Sequence, residues 1–387
     1  MKFYKIRVII HSNVIKKLIK GGMTMYFRKI LEEIKAYVPG KSIEEIQREF
    51  NINKIAKLAS NENPYGCSQG VLQCLNDVKN IEEYPDNNCT KLREMLAQKH
   101  NIKETQLIFG DGSVEILSMI SQVFIGPDDE VITCTPSFSS YFTQAKLMGG
   151  KVIGIPLSND VFDLKGIINK ITDRTKLIYI GNPNNPTGTI ITVDEQLDFL
   201  KSVPKNIAVV LDEAYYEYVT DKQYPNSISF LNEFENIIIL RTFSKAYGLA
   251  GFRVGYGIAS EEMVVELNKV RNPFNVSTLA QNAACKALMD KEFIEMVVKN
   301  NTQVLNYMYE QLDRLDISYI SSQTNFIMID CRRNGMKVSQ ELLERGFIVR
   351  PGFPLMDDYI RVSIGTLEQM KEFIVVLDRL INEGEKQ

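Results

Sequence analysis

Between Gln106 and Ile258 short apolar runs alternate with helical patterns, and few architectures accept that order. The runs are Leu107–Phe109, Glu130–Cys134, Lys151–Ile155, Lys176–Ile180, Ile207–Leu211, Ile237–Leu240 and Val254–Ile258. Stretches such as Val114–Phe124 and Phe138–Met148 carry helical periodicity between them. Strands that read as unbroken apolar runs have no solvent face, so a largely parallel α/β sheet covered by helices on both sides is expected.

From Thr278 the pattern turns helical, with a long amphipathic stretch over Phe293–Leu315. Short strands at Phe326–Asp330, Phe347–Val349 and Ile360–Ser363 follow, then a closing helix over Leu367–Asn382. A chain of 387 residues exceeds one ordinary domain, so this part is expected to form a smaller α+β lobe. The division implied is an extension over residues 1–24, an arm over 25–55, a large lobe over 56–285 and a small lobe over 286–387. Within the arm, Phe27–Tyr37 has helical periodicity, and Ser42 opens a second helix, Ile43–Phe50, with Glu45 in capping-box position. The arm is expected to pack on the small lobe or on a partner subunit.

Met1–Lys20 is basic with an apolar patch, but lacks the long apolar core and small-residue cleavage site of a signal peptide. Lys20-Gly21-Gly22, just ahead of Met23 and Met25, reads as a purine-rich ribosome-binding site translated into protein. Translation is therefore expected to begin at Met23 or Met25, and mass spectrometry finding Met1 or Lys2 at the native N-terminus would contradict it.

Composition removes several chemistries. Only two histidines are present, His11 and His100, which excludes Ser-His-Asp, Cys-His and multi-histidine metal sites. The six cysteines are scattered without zinc spacing, as expected of reduced thiols in a cytoplasmic protein with no metal site. A net charge of −3 gives no reason to expect a nucleic-acid or membrane partner, and no apolar run approaches the roughly 20 residues that span a bilayer. Difficult chemistry is left to a lysine, to carboxylates or to a borrowed cofactor.

Ligands of open α/β sheets gather beyond the carboxyl ends of the strands, and unusual polar residues stand there. Gly110-Asp111-Gly112-Ser113-Val114-Glu115 follows one strand and begins a helix. It is either a plain turn with Ser113 as N-cap or a phosphate seat built from free amides. It lacks the third glycine of a dinucleotide fingerprint and the Gly-Lys-Ser/Thr of a P-loop, which disfavours NAD and ATP. In Gly181-Asn182-Pro183-Asn184-Asn185-Pro186-Thr187-Gly188, two prolines and two glycines stiffen a turn that would aim Asn185. Asp212 ends the run Ile207–Leu211, where a carboxylate is costly unless a cation or donors meet it. A protonated heterocyclic nitrogen is such a cation; a helix N-cap is the plain alternative. Tyr215 either donates to a cofactor oxygen or simply packs. Lys245 follows the strand Ile237–Leu240 and could form a Schiff base, although a lysine in such a turn is ordinarily solvated. As an ordered set these residues match the needs of pyridoxal phosphate: Lys245 for its aldehyde, Asp212 for its ring nitrogen, Asn185 and Tyr215 for its hydroxyl. Amides, hydroxyls and Arg253 remain for its phosphate.

The chain resembles the fold-type I pyridoxal-phosphate aminotransferases, and among them the histidinol-phosphate branch, from about Ile34 to its end. S-N-E-N-P-Y-G from Ser60, Y-P-D from Tyr84, G-D-G-S-V-E-I-L from Gly110 and N-P-N-N-P-T-G from Asn182 carry the resemblance. So do D-E-A-Y-Y-E-Y from Asp212 and R-T-F-S-K-A-Y-G-L-A-G-F-R from Arg241. The resemblance implies the roles just given to Lys245, Asp212, Asn185 and Tyr215. It assigns the phosphate to the Ser113 and Val114 amides, Thr242, Ser244 and Arg253, and it stacks Phe138 on the ring. Val114 stands where relatives often carry an acid, which a backbone contact tolerates. Tyr84 would reach the phosphate of a neighbouring subunit, implying a homodimer with shared sites. Arg361 and Arg350 would bind the substrate's carboxylate or phosphate, with Tyr65 and Asn325 as further contacts; for each arginine a surface salt bridge is the plain alternative.

The activity implied is ping-pong transfer of an amino group from histidinol phosphate to 2-oxoglutarate, giving imidazole-acetol phosphate and glutamate, a step of histidine biosynthesis. The same fold also serves aromatic-amino-acid aminotransferases and threonine-phosphate decarboxylases. Phe138 and the stretch Gly352-Phe353-Pro354-Leu355-Met356 leave aromatic substrates open. A non-catalytic cofactor sensor would carry a DNA-binding domain for which two lobes leave no room, and a nicotinamide oxidoreductase would need the missing fingerprint.

Overall fold

The computed structural model describes residues 27–34, 36, 43–77 and 79–384. The chain separates into two units, Met1–Val38 and Pro39–Gln387. Among the described residues of the first, Lys29–Glu33 forms a 3-10 turn between extended Arg28 and Ile34. The longer helix read from the periodicity of Phe27–Tyr37 is therefore corrected: none of the turn's side chains is buried, and short helices depend on a buried face. Met23, Met25 and Ser42 lie outside the described residues. The helix Ile43–Phe50 forms as expected and buries Ile46.

Among the described residues, thirteen strands follow in chain order. They are β1 (Ala56–Lys57), β2 (Leu107–Gly110), β3 (Glu130–Thr135), β4 (Lys151–Pro156), β5 (Thr175–Gly181), β6 (Ala208–Asp212) and β7 (Ile237–Thr242). The remainder are β8 (Gly255–Ile258), β9 (Tyr319–Ile320), β10 (Phe326–Asp330), β11 (Phe347–Ile348), β12 (Arg350–Phe353) and β13 (Met356–Ser363).

Seven of them form one sheet in the order β2-β8-β7-β6-β5-β3-β4. Only β8 runs against its neighbours. It returns from β7 through a loop holding only a 3-10 turn, Ala250–Phe252, and an antiparallel return needs no crossover helix. Alternate residues feed two cores, as a strand's period of two requires. Val209, Leu211, Ile237 and Ile239 pack into one apolar cluster; Ala208, Val210, Ile238 and Leu240 pack into the other. The sheet is thus buried on both faces, and the unbroken apolar runs are explained.

The C-terminal region builds an antiparallel sheet, β12-β13-β10-β9, on the helices Lys291–Arg314 and Leu367–Gly384, with a core of its own. A third helix, Gly335–Leu343, begins where the Asn334 side chain accepts the Lys337 amide at 3.2 Å. β1 pairs in parallel with β11, so Ala56 and Leu58 join this second core before the chain reaches the large sheet.

Candidate active site

The central strands end side by side. Gly181 pairs with Asp212 and Asp212 with Leu240, so the loops after β5, β6 and β7 open on one edge. Asp212, the last residue of β6, is 5% exposed. Its Oδ2 accepts the Tyr141 hydroxyl at 2.8 Å and its Oδ1 the Ala214 amide at 3.2 Å. Burial, reinforced by neighbouring Glu213, pushes its carboxyl up to about 6, although the two donors and Lys245 pull the other way. No cation lies within ion-pair distance of it among the described residues. The N-cap alternative is corrected as well: the next element is a 3-10 turn, Tyr216–Tyr218, whose cap is Tyr215.

Lys245 stands three residues beyond β7, in a turn closed by the Gly248 amide donating to the Lys245 carbonyl at 2.9 Å. Gly248 has φ +70°, and a Cβ there would overlap the Gly66 carbonyl, so only glycine lets the two loops meet. The Lys245 ammonium donates to the Ser60 carbonyl at 3.2 Å and lies 5.5 Å from the centre of the Tyr215 ring. Tyr215 is buried against Phe326, and its hydroxyl accepts the Asn61 amide at 2.9 Å. Asn185 projects from a turn held by its neighbours rather than by prolines alone. Asn184 bonds Thr187 at 2.9 Å and Ser137 at 3.0 Å, and Asn182 bonds the Ile191 backbone at 3.0 and 3.1 Å.

Where β2 meets β8, the helix Gly112–Phe124 begins. Its N-cap is Asp111, not Ser113, which is the second helical residue; the reading of Ser113 as cap is corrected. The amides of Gly112, Ser113 and Val114 have no helical acceptor and point out of the helix end. Around them stand Ser244, whose hydroxyl accepts from Thr242 at 3.0 Å, and Arg253, which donates to Ser244 Oγ at 3.4 Å and to the Asp111 carbonyl at 3.4 Å. A Cβ on Gly112 (φ +69°) would lie 2.5 Å from the Arg253 guanidinium, so glycine is what admits that arginine. Helix-end amides, two hydroxyls and a guanidinium gather donors that could hold a doubly charged phosphate. Phe138 precedes the helix Ser139–Leu147, half-buried and edge-on to Tyr141 at 5.6 Å.

Arg361, in β13, is 7% exposed, so the surface salt bridge is corrected for it. Its guanidinium donates to Asn185 Oδ1 at 2.5 Å and to the Ala59 carbonyl at 2.7 Å, and lies over the rings of Phe326 and Phe353. Arg350 is its direct cross-strand partner in β12, which places both side chains on one face of the sheet. Asn325 is buried, its amide donating to the carbonyls of Asn61 at 3.1 Å and Glu62 at 3.3 Å. Tyr65 packs with Tyr215, Tyr218, Ala246 and Phe326, and burial raises its hydroxyl above the ordinary value. Tyr84 is 81% exposed, with its ring stacked on Phe274 at 4.6 Å.

Two residues with evident parts in this geometry went unmarked in the sequence. Tyr141, the proton donor to Asp212, is a tyrosine just inside a helix whose preceding residue was already a candidate. Asn61 lies inside a quoted motif and joins Tyr215 to Ser363, whose hydroxyl donates to Asn61 Oδ1 at 2.8 Å.

The residues present fit pyridoxal phosphate. A buried carboxyl without a counter-cation suits a protonated pyridine nitrogen, the seat at the helix start suits the phosphate, and the Lys245 amine follows the strand next to the one that ends at Asp212.

Comparison with known proteins agrees with this geometry. Residues 53–377 match the family "Aminotransferase class I and II". A histidinol-phosphate aminotransferase of Caldicellulosiruptor saccharolyticus is 47% identical over 92% of this chain and 100% of its own length. One from Moorella thermoacetica is 45% identical over 92% of each. The crystal structure of the Sinorhizobium meliloti histidinol-phosphate aminotransferase, in complex with pyridoxal-5'-phosphate, superposes with a TM-score of 0.85. It covers 94% of this chain and 99% of its own, and at 24% identity it speaks for the fold.

Proposed function

Because this chain belongs to the class I and II aminotransferases, we propose that it uses pyridoxal phosphate to move an amino group from histidinol phosphate to 2-oxoglutarate by a ping-pong route, a step of histidine biosynthesis. The observation that carries the chemistry is the buried Asp212 carboxyl, without a counter-cation, at the end of the strand beside the one that delivers Lys245. Identities of 45–47% to histidinol-phosphate aminotransferases, over nearly the full length of both chains, carry the substrate.

Asp212 would hold the ring nitrogen protonated, Asn185 and Tyr215 would bond the ring hydroxyl, and Phe138 would cover one ring face. The Ser113 and Val114 amides, Thr242, Ser244 and Arg253 would hold the phosphate. Bound there, the cofactor supplies an aldehyde that condenses with amines and a ring that takes up electrons released at the donor's Cα. The Lys245 amine would take the donor's Cα proton as a general base and give it back as a general acid. The Ser60 carbonyl and the Tyr215 ring are the contacts that orient its amine before reaction.

Arg361 and Arg350 would take the anionic group of each substrate in turn, since a planar guanidinium suits carboxylate and phosphate alike. Arg361→Ala is expected to raise KM for the amino donor about 100-fold with a smaller change in kcat, and Arg361→Lys to recover only part of that. Steady-state kinetics with both substrates check it; a KM within twofold of wild type would remove Arg361 from the substrate site.

A panel of amino donors against 2-oxoglutarate tests the substrate. Histidinol phosphate should exceed phenylalanine, tyrosine and aspartate at least about tenfold in kcat/KM. Preference for an aromatic donor, or carbon dioxide release from phosphorylated threonine, would replace this reading with one of its same-fold alternatives.

The proposal includes a homodimer with shared sites, supported by the exposed stack of Tyr84 on Phe274 and by exposed Ile81 three residues before Tyr84; a monomer mass by light scattering would reject it. It also includes the large lobe over 56–285, the small lobe over 286–387 and the arm over 25–55; the separate cores of the two sheets support the two lobes, with Ala56 and Leu58 packing in the second core. A cytoplasmic location is supported by six cysteines that are all free. Among the described residues, no helix is long and apolar enough to cross a membrane.

A further inference from the structure

On the face of the large sheet turned away from the Asp212 carboxyl lies an ion pair that the proposed chemistry does not use. Asp212 shares its face with Ala208 and Val210; Glu213 and Arg241 fall on the other by the alternation of β6 and β7. Arg241 is 2% exposed and Glu213 1%. Both the Nε and an Nη of Arg241 donate to Glu213 Oε2, at 2.9 and 2.8 Å, and the guanidinium lies 3.6 Å from the centre of the Tyr216 ring. Beside the pair, Lys99 donates to the Tyr247 hydroxyl at 2.7 Å, and His100 bonds the Tyr256 hydroxyl at 3.0 Å.

A buried ion pair is a poor stabiliser, because desolvation offsets its attraction and apolar replacements of equal volume often do as well. Its placement here has a different consequence. Glu213 follows Asp212, Arg241 precedes Thr242, and Tyr247 lies two residues beyond Lys245. The pair therefore fixes backbone immediately next to Asp212 and Thr242, and the Lys99–Tyr247 bond holds the chain two residues from Lys245. We propose that the Arg241–Glu213 pair is a positioning device that sets the Asp212 carboxyl and the Thr242–Lys245 turn relative to one another. This rests on the roles given above to Asp212 and Lys245.

The test uses the cofactor-loaded enzyme and its Glu213→Gln and Arg241→Lys variants. Glu341→Gln serves as control; it breaks another two-bond Arg–Glu pair, the half-buried Arg333–Glu341, at 2.9 and 2.6 Å in the C-terminal region. Displacing reacting groups by a fraction of an ångström to an ångström should lower kcat up to about 100-fold in Glu213→Gln while leaving the donor KM within about threefold. Cofactor Kd, by equilibrium dialysis, should rise about tenfold, and the pH midpoint of the bound cofactor's visible band should move by about half a pH unit or more. Arg241→Lys, which keeps the charge but not the two-bond fork, should fall between wild type and Glu213→Gln on each readout. The control should change none of them.

If both variants lose thermal stability but keep kcat, cofactor Kd and band midpoint at wild-type values, the pair is only structural and the inference fails. It fails equally if neither variant folds while Glu341→Gln does. A wild-type enzyme that stays colourless with the cofactor, and whose Lys245 borohydride does not fix to it, would instead sink the site assignment itself.

Discussion

Lys245→Ala is expected to cut turnover by at least about 10,000-fold, because it removes the amine placed to carry a proton from the donor's Cα. That loss corresponds to roughly 5.5 kcal/mol of barrier. Cofactor binding should persist, since the phosphate seat of helix-end amides, Ser244 and Arg253 does not involve the Lys245 side chain. Two measurements separate the outcomes. Single-turnover kinetics should show the loss in the proton-transfer step, and borohydride should no longer attach the cofactor to the protein. Turnover near that of wild type would remove Lys245 from the mechanism, and with it the reading of the whole site.

Asp212→Asn is expected to act in opposite directions on activity and on stability. Without a full negative charge beneath the ring nitrogen, the ring loses its electrostatic support, and kcat should fall about 100- to 1,000-fold. The cofactor-free protein should meanwhile gain stability near neutral pH. The Asp212 carboxyl sits at about 6 in the folded chain against an ordinary 3.8, because burial disfavours its charge. As pH rises the unfolded chain ionises first, so the stability held below about pH 4 is lost on the way through pH 6, to the extent of about 3 kcal/mol. Asparagine has no such titration. Denaturant melts of cofactor-free protein at pH 4 and pH 7 should show that slope in wild type and less of it in the variant. A variant that followed the wild-type slope would place the pH dependence elsewhere. Cofactor binding should reduce the slope, because a protonated ring nitrogen gives the carboxylate its missing counter-charge.

The trade between these two effects is expected where a site is built for a guest. Asp212 is costly in an apolar strand end, and within the protein the Tyr141 hydroxyl, the Ala214 amide and the charge of Lys245 ease it. The sheet supplies the burial; the guest supplies the charge.

Most strands were legible because periodicity is local. The runs read at Leu107–Phe109, Glu130–Cys134 and Ile237–Leu240 differ from β2, β3 and β7 by two residues or fewer. β1 and β9, at two residues each, are too short to show a period. β12 escaped because Arg350-Pro351-Gly352-Phe353 reads as a turn; it is an edge strand, where a proline without an amide hydrogen does no harm. The Phe27–Tyr37 pattern failed in the other direction, since an amphipathic period does not guarantee a surface to bury against.

By itself the sequence determined the order of the elements, the burial of the large sheet on both faces, and which strand ends carry Asn185, Asp212 and Lys245. These depend on neighbours along the chain, and side-chain period and turn chemistry report neighbours. Only the tertiary structure decided that Tyr141 supplies Asp212 with a proton donor from 71 residues away, that Asn61 reaches Tyr215 across 154, and that Arg361 reaches Asn185 across 176. It alone brought Glu213 and Arg241 together in the dark behind the site. Such pairs leave no periodic trace, because a hydrogen bond between distant residues is set by how the layers pack and not by any spacing along the chain.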